Sequence, residues 1–311
     1  MSSALPEPGT ERDPAPALPD VSDEPVYGAG RSQWQVFSSR FRRHRLAAAA
    51  AAVLAVLYAA AVLAPLIVPY DHTEISYLGA QPPSASHPMG TDELGRDQLS
   101  RIVMGGRVSL MVGLVVAVVA LLAGTAVGMI AGYFGGWLDN VLMRFTDMML
   151  SLPLLPLLMV AGAAFGGTLW NIVLIVGLLS WMPVARLVRG SFLSLREKEF
   201  VEAARSTGAS SGRIIVRHLL PNAVGPVVVN TTLTVGTAII VESVLSFLGF
   251  GIQPPTPSWG NMLTEAKSTM VLYPWLTWFP GLMIVLTVLC VNFFGDGLRD
   301  ALDPMQREGV S

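Results

Sequence analysis

The chain has 311 residues, of which 52% are hydrophobic and 14% are charged, with a formal net charge of −2 at pH 7. Soluble domains usually carry about 25% charged residues, so the long charge-free runs predict an all-α polytopic membrane protein. The near-neutral charge gives no sign of a nucleic-acid partner. Cys290 is the single cysteine, which excludes an internal disulfide and a cysteine-rich metal site.

The N-terminal segment has the composition of a disordered tail. Residues 1–33 are rich in Pro, Asp, Glu, Ala and Ser, with too few large apolar residues to form a core. An arginine-rich cluster at residues 40–45 follows, and clustered arginine beside a span stays in the cytoplasm. We therefore predict a disordered cytoplasmic tail with a juxtamembrane basic segment over residues 1–45. No signal peptide is predicted, because the first apolar run begins only at Leu46.

The next part of the sequence predicts two spans separated by an external segment. Residues 46–70 are free of charge and long enough for span 1, and residues 71–106 form a loop with a short helix outside. Span 2 is predicted over residues 108–133 and runs inwards. Four small residues in span 2 would let a neighbouring helix approach closely: Gly113, Ala117, Gly124 and Gly128.

The following apolar stretch is too long for one span and is divided by glycines. Span 3 is predicted over residues 141–165 with a kink at Leu152-Pro153 and Pro156, and span 4 over residues 169–187. Arg144 and Asp147 are spaced to pair one helical turn apart.

Span 5 is predicted over residues 223–250 and contains Glu242, the clearest ionisable residue within an apolar run. Such a residue is costly in lipid and usually faces a cavity, a partner or the interface. Two interpretations stay open. Glu242 is either a pathway or gating carboxylate, or a carboxylate at the outer boundary, past the end of span 5, that hydrogen-bonds Ser243, Ser246 or a backbone group.

Span 6 is predicted over residues 276–294, so that six spans place both termini on the cytoplasmic side. We divide the chain after its tail into three parts. The first span and the external segment occupy residues 46–104, a five-helix transmembrane domain occupies residues 105–300, and a cytoplasmic C-terminal tail occupies residues 301–311.

A strongly charged stretch, residues 195–222, lies between spans 4 and 5 and predicts a helical hairpin. Ser194 and Glu197 have the spacing of a capping box, from which a helix would run to Ser206. Gly208 follows as the C′ residue, which adopts positive φ at little cost.

The second arm of the hairpin is predicted to begin at Ser210 or Ser211 and to be ended or kinked by Pro221. Its charge should keep the hairpin in water on one side of the membrane. The basic residues are Arg196, Lys198, Arg205, Arg213 and Arg217.

The hairpin resembles the EAA motif of bacterial ABC importer permeases. His218 departs from the motif, which commonly has an apolar residue there, and Leu219 can fill that role. The resemblance implies the type I ABC importer permease fold, with a cytoplasmic loop that docks into an ATPase subunit. The residues that it implies for coupling are Glu202, Ala203, Ala204, Gly208, Leu220 and Pro221.

Two external strings, residues 87–101 and 248–263, and the cytoplasmic string 295–304 are similar to the C-type subunit of dipeptide and oligopeptide permeases and of their nickel-importing relatives. The first external string also contains residues that could bind a metal. We favour a turn held by Asp/Arg pairs instead and predict no metal site. The candidate ligands are His72, His87, Asp92, Glu93 and Asp97.

The resemblance implies a permease subunit of an ATP-driven importer of di- or oligopeptides in the bacterial inner membrane. It implies four kinds of partner besides membrane lipid: a sister permease, two ATPase subunits, an external solute-binding protein, and ATP with magnesium bound by the ATPases. No phosphate-binding loop GxxxxGK[ST] occurs in this chain, so we predict no catalytic residues and no cofactor of its own.

Three alternatives are weighed against this prediction. The substrate could be nickel or another small metal complex, since those permeases share the same strings. A secondary carrier would normally show more ionisable residues in its pathway and would not need the charged hairpin. An intramembrane enzyme is disfavoured because the spans contain neither HExxH nor a Ser/His set.

Overall fold

The computed structural model describes residues 39, 41–42 and 44–302. Within these residues the structure is helical and has no strand, and a single antiparallel bridge joins Thr91 to Asp97. The predictions for most of residues 1–45 and for residues 303–311 lie outside the described residues.

Twelve α-helices are assigned within the described residues. Their bounds are α1 Arg45–Val62, α2 Ala64–Ile67, α3 Gln98–Phe134, α4 Gly136–Ser151, α5 Leu154–Phe165, α6 Leu169–Leu178, α7 Trp181–Leu195, α8 Glu199–Ser206, α9 Ser211–Ile214, α10 Leu220–Phe247, α11 Trp259–Glu265 and α12 Trp275–Leu302. A π-helical turn, Ile215–Leu219, joins α9 to α10, and a 3-10 turn, Ala266–Ser268, follows α11.

Five helical runs in the described residues are long and apolar enough to cross a membrane: α1, α3, α6–α7, α9–α10 and α12. The pair α4–α5 passes the same test only as a unit, because the two helices are bent by 86° at their junction. Counting that pair as one span gives six. The predicted all-α, multi-span architecture is therefore confirmed.

Several predicted boundaries differ from the structure. The helix of span 2 begins at Gln98 rather than near Val108, because the Asp97 carboxylate caps it by accepting from the Ser100 N–H at 2.8 Å. The helix of span 1 ends at Val62, well before Tyr70. Span 6 continues to the end of α12.

Two spans are broken near the middle. The break in span 3 falls at Leu152 and Pro153, as predicted. The break in span 4, at Leu179 and Ser180, was not predicted. Pro183 explains this second break, because it lacks the N–H that would donate to the Leu179 carbonyl.

The long helix α3 packs closely against α7 and α10. A Cβ atom added to Gly128 would lie 2.6 Å from the Ala185 carbonyl oxygen, and one on Gly124 would lie 2.6 Å from Val184 Cβ. Gly113 is equally close to Ile239 of α10. The predicted role of these small residues in helix packing is confirmed.

Candidate functional site

The first arm of the charged hairpin is α8, and its start differs from the prediction. Helix α7 continues through Ser194, whose hydroxyl donates to the Ser191 carbonyl at 2.9 Å. Helix α8 begins at Glu199 without a side-chain cap. The predicted capping box is wrong because Phe192, which is fully buried, keeps α7 packed and helical to its last turn.

The turn of the hairpin is a Schellman motif around Gly208. Gly208 has a φ of +79°. Its N–H donates to the Arg205 carbonyl at 2.9 Å, and the Ala209 N–H donates to the Ala204 carbonyl at 3.1 Å. The predicted glycine turn is confirmed. A Cβ at position 208 would meet nothing within 4 Å, so the need for glycine is one of backbone conformation alone.

The second arm runs directly into span 5. Pro221 lies in the first turn of α10 and does not end the helix, so the prediction of a helix end or kink there is wrong. In the preceding π-helical turn the Leu220 N–H donates to the Ile215 carbonyl, five residues back. This wider turn lets the helix absorb the proline. The result is one continuous helical run, Ser211–Phe247.

The underside of the hairpin is attached to the membrane helices by an apolar cluster. Val201, Ile214 and Leu219 are each 1% exposed or less and pack with Val184 and Val188 of α7. Leu219 therefore takes the buried apolar position next to the half-buried His218, as predicted. Because this cluster is buried, the hairpin should move with the spans as a rigid unit.

The outer surface of the hairpin is open and carries charges without partners. Glu202, Ala203 and Pro221 are exposed, and Ala204 and Leu220 are half-buried. A groove of about 520 Å³ lies between the two arms, and Glu202 is outside its lining. Within the described residues, Arg196 and Glu197 form the one ion pair of the hairpin, and six of its charged side chains form none: Lys198, Glu199, Glu202, Arg205, Arg213 and Arg217.

Glu242 is fully buried near the outer end of α10. Its carboxylate accepts from Ser246 at 2.7 Å and from Ser258 at 2.9 Å, with Ser109 and Ser243 each at 3.5 Å. These contacts join α10 to α3 and to the start of α11. Span 5 does not end before Glu242, so that part of the prediction is wrong, while the contacts with Ser243 and Ser246 are confirmed.

The external segment is held by buried ion pairs. Asp92 accepts from Arg96 at 2.6 Å and pairs with Arg101, and both arginines also reach Glu265, at 2.9 and 2.7 Å. The predicted Asp/Arg turn is confirmed. Glu265 was missed, because nothing in the sequence relates it to residues so distant along the chain.

The metal candidates are divided among different partners. The His87 ring contacts Asp97 at 2.9 Å, Asp92 binds the arginines, and Glu93 accepts from the Thr269 hydroxyl. No cluster of three His, Cys, Asp or Glu side chains suited to a metal is present among the described residues.

Asp147 does not pair with Arg144, which corrects the predicted pair on span 3. It instead accepts from Arg186 of α7 at 2.5 Å, and Asp139 binds Arg189 of α7 through both carboxylate oxygens, at 2.5 and 2.7 Å. Because α7 packs beside α4, Arg186 comes closer to Asp147 than Arg144 does, although Arg144 is only one helical turn away.

Two sequence families match the chain. The family described as binding-protein-dependent transport system inner membrane component matches residues 124–308. The family described as the N-terminal TM domain of oligopeptide transport permease C matches residues 32–83.

Curated relatives match over most of their length. The chain is 43% identical to the glutathione transport system permease protein GsiD of Pectobacterium atrosepticum, over 92% of this chain and 95% of the relative. It is 44% identical to the oligopeptide transport system permease protein OppC of Escherichia coli K12, over 89% of this chain and 93% of the relative.

A solved structure supports the fold independently. A chain of the inward-facing MetNI methionine ABC transporter superposes with a TM-score of 0.53 at 19% identity, covering 65% of this chain and 96% of that one. At this identity the likeness bears on the fold alone. The sequence matches show that the chain belongs to the family of binding-protein-dependent transport system inner membrane components, the permease subunits of ABC importers.

Proposed function

We propose that this chain forms half of the translocation pathway of an ATP-driven importer of di- or oligopeptides, and that its hairpin takes up motion from an ATPase subunit. The observation that carries the coupling role is the continuity of the second arm with α10. A push on the hairpin then moves a membrane span directly, because no flexible loop lies between them.

The six residues of the EAA motif have distinct parts in this mechanism. Glu202 and Ala203 lie on the exposed surface that meets the partner, and Ala204 lines the groove between the arms. Gly208 sets the angle between the arms. Leu220 and Pro221 form the first turn of the helix that receives the motion.

The peptide substrate is supported by chemistry that the relatives' names share. One relative is named for oligopeptides and the other for glutathione, which is itself a peptide. A neutral amide backbone is the feature common to these solutes. Nickel is the alternative substrate, and the two are separated by which of them the solute-binding protein binds.

The assembly that we propose contains a sister permease, two ATPase subunits that bind ATP and magnesium, and an external solute-binding protein. In the membrane, both termini and the hairpin face the cytoplasm. The arginine-rich hairpin supports this orientation, because basic residues concentrate on the cytoplasmic side of a membrane.

A mild-detergent purification of the full chain from its own membranes tests the proposal. We expect the sister permease, the ATPases and the binding protein to co-purify. The purified complex is then reconstituted in proteoliposomes. It should import labelled peptide only when ATP is present on the side of the membrane that carries the hairpin and the ATPases. Import without ATP would favour a secondary carrier, and binding of nickel but not peptide by the solute-binding protein would change the substrate.

A further inference from the structure

One face of α10 borders two cavities that meet at Asn230. The first cavity, of about 280 Å³, lies between α10 and the breaks in spans 3 and 4. The second, of about 430 Å³, lies between the first half of α10, α7 and the end of α12. Asn230 and Leu233 line both cavities.

Together the two cavities follow α10 across most of a membrane. Their lining extends along this helix from Gly225 to Val241, roughly 24 Å at about 1.5 Å per residue, against a hydrocarbon thickness of about 30 Å. Both helix breaks place non-helical backbone, at Leu152 and Leu179, on the first cavity. Irregular backbone at this depth is tolerated where it is buried in protein or lines a hydrated cavity.

Asn230 lines both cavities and carries an unpaired polar atom. Its Oδ1 atom is buried and has no hydrogen-bond partner in the part of the chain that the structure describes. The other atoms in that condition belong to Thr125, Thr277 and Thr287, and none of these lines either cavity. A buried amide oxygen without a hydrogen-bond partner is unfavourable, so contacts within the chain do not explain why asparagine occupies this position.

The neighbouring polar groups are neutral. The hydroxyls of Ser180, Thr234 and Thr237 each donate to the carbonyl four residues earlier, at 2.6, 2.9 and 3.2 Å, which leaves their lone pairs available as acceptors. The lining of the first cavity contains no charged side chain, and the lining of the second contains only Arg299.

We propose that Asn230 is a binding residue of the translocation pathway and pairs with the backbone amides of the peptide in transit. Each peptide unit offers one N–H donor and one carbonyl acceptor, and the asparagine amide complements both. The lining of the first cavity carries no charge and therefore does not select among peptide side chains by charge. This inference rests on the proposed function and adds to it the chemical group that the pathway recognises.

The first test measures ATP-driven uptake by the complete importer in proteoliposomes, with neutral, acidic and basic labelled tripeptides. Asn230→Leu should lower the uptake of all three by a similar factor, about tenfold, as expected for one lost hydrogen bond. Asn230→Gln should retain more uptake, since it keeps the amide. Co-purification of the partner subunits should equal that of the wild type, which shows that the variants fold and assemble.

Two threonines on α10 provide a matched control. The Thr234 and Thr232 hydroxyls both donate to a carbonyl of their own helix at 2.9 Å, but of the two residues only Thr234 lines either of these two cavities. Thr234→Val should reduce uptake and Thr232→Val should not. Equal effects of the two substitutions, or normal uptake by Asn230→Leu, would overturn the inference.

Thiol labelling distinguishes a pathway from a contact with the sister permease. In a Cys290→Ala background, Asn230→Cys should react with a water-soluble thiol reagent, and transported peptide should protect it, whereas Thr232→Cys should not react. Absence of labelling at position 230 in every nucleotide state would indicate a helix packed against Asn230 and reject the proposal. If the wild-type complex imports no peptide at all, the proposed function itself fails, whereas normal import by Asn230→Leu rejects only this inference.

Discussion

The two ends of the molecule use charge in opposite ways. In the external segment Arg101 is 3% exposed, and its guanidinium is shared between Asp92 and Glu265. On the hairpin Glu202 and Arg213 are exposed and form no ion pair within the described residues. The charges of Arg101, Asp92 and Glu265 are paired with one another, whereas those of Glu202 and Arg213 are left open on the surface.

This difference shows which charges position the fold and which serve a partner. A buried ion-pair network is sensitive to the loss of any member, because the remaining charge stays desolvated. An exposed charge contributes little to the stability of its own chain. Substitutions at the external end should therefore change the stability of the chain, while those on the hairpin should change its association with other subunits. Four sets of substitutions test this comparison.

The largest expected effect on stability is that of Arg101→Leu. Removal of the Arg101 guanidinium leaves Asp92 and Glu265 with Arg96 alone. We expect the free energy of unfolding to fall by roughly 3 kcal/mol, at the low end of the range for a broken buried pair. The thermal midpoint of the purified protein in detergent measures this loss. Arg186→Leu is the control, since its pair with Asp147 is half-exposed and should contribute about 0–1 kcal/mol. Equal midpoints for the two variants would contradict the comparison.

Glu242→Ala should have the next largest effect, a loss of roughly 2 kcal/mol, because Ser246 and Ser258 lose their shared acceptor oxygen in a fully buried site. Glu242→Gln keeps an acceptor oxygen and should be milder. The same thermal midpoint distinguishes them. If both variants were as stable as the wild type but failed to import peptide, the carboxylate would serve the pathway and not the packing of α11.

Gly208→Ala tests the turn of the hairpin. Alanine at a φ of +79° costs about 1–2 kcal/mol locally, which should open the turn without removing the protein from the membrane. Gly208→Pro is more severe, since it also removes the N–H that donates to Arg205, and should uncouple ATP hydrolysis from uptake. Gly212→Ala is the control, because Gly212 has no positive φ and an open Cβ position. Normal coupling in Gly208→Pro would remove the turn from the mechanism.

Glu202→Lys should have the smallest effect on stability and a clear effect on assembly. Both Glu202 and Glu199 lie in the first turn of α8, where a negative charge interacts favourably with the helix dipole. Reversing either charge should therefore lower the stability of the chain by a similar amount, about 0.5 kcal/mol. Co-purification of the ATPases should fall for Glu202→Lys and persist for Glu199→Lys. Equal recovery from the two variants would mean that Glu202 is not a docking residue.

The sequence alone determined the class of the protein and the character of each segment. Charge-free runs predicted the spans, because lipid excludes unpaired charge whatever the tertiary arrangement. The glycine turn at Gly208 and the break at Pro153 were also predictable, since both follow from local backbone chemistry.

Only the tertiary structure decided which distant groups meet. Three sets of contacts depend on segments that pack side by side: the pair Arg101–Glu265, the pair Asp147–Arg186, and the serine contacts around Glu242. The position of Asn230 between two cavities is likewise set by the surrounding helices and not by its neighbours in sequence. Local composition determines whether a segment enters the membrane, but pairing among polar groups is determined by proximity in space, which the linear order of residues does not contain.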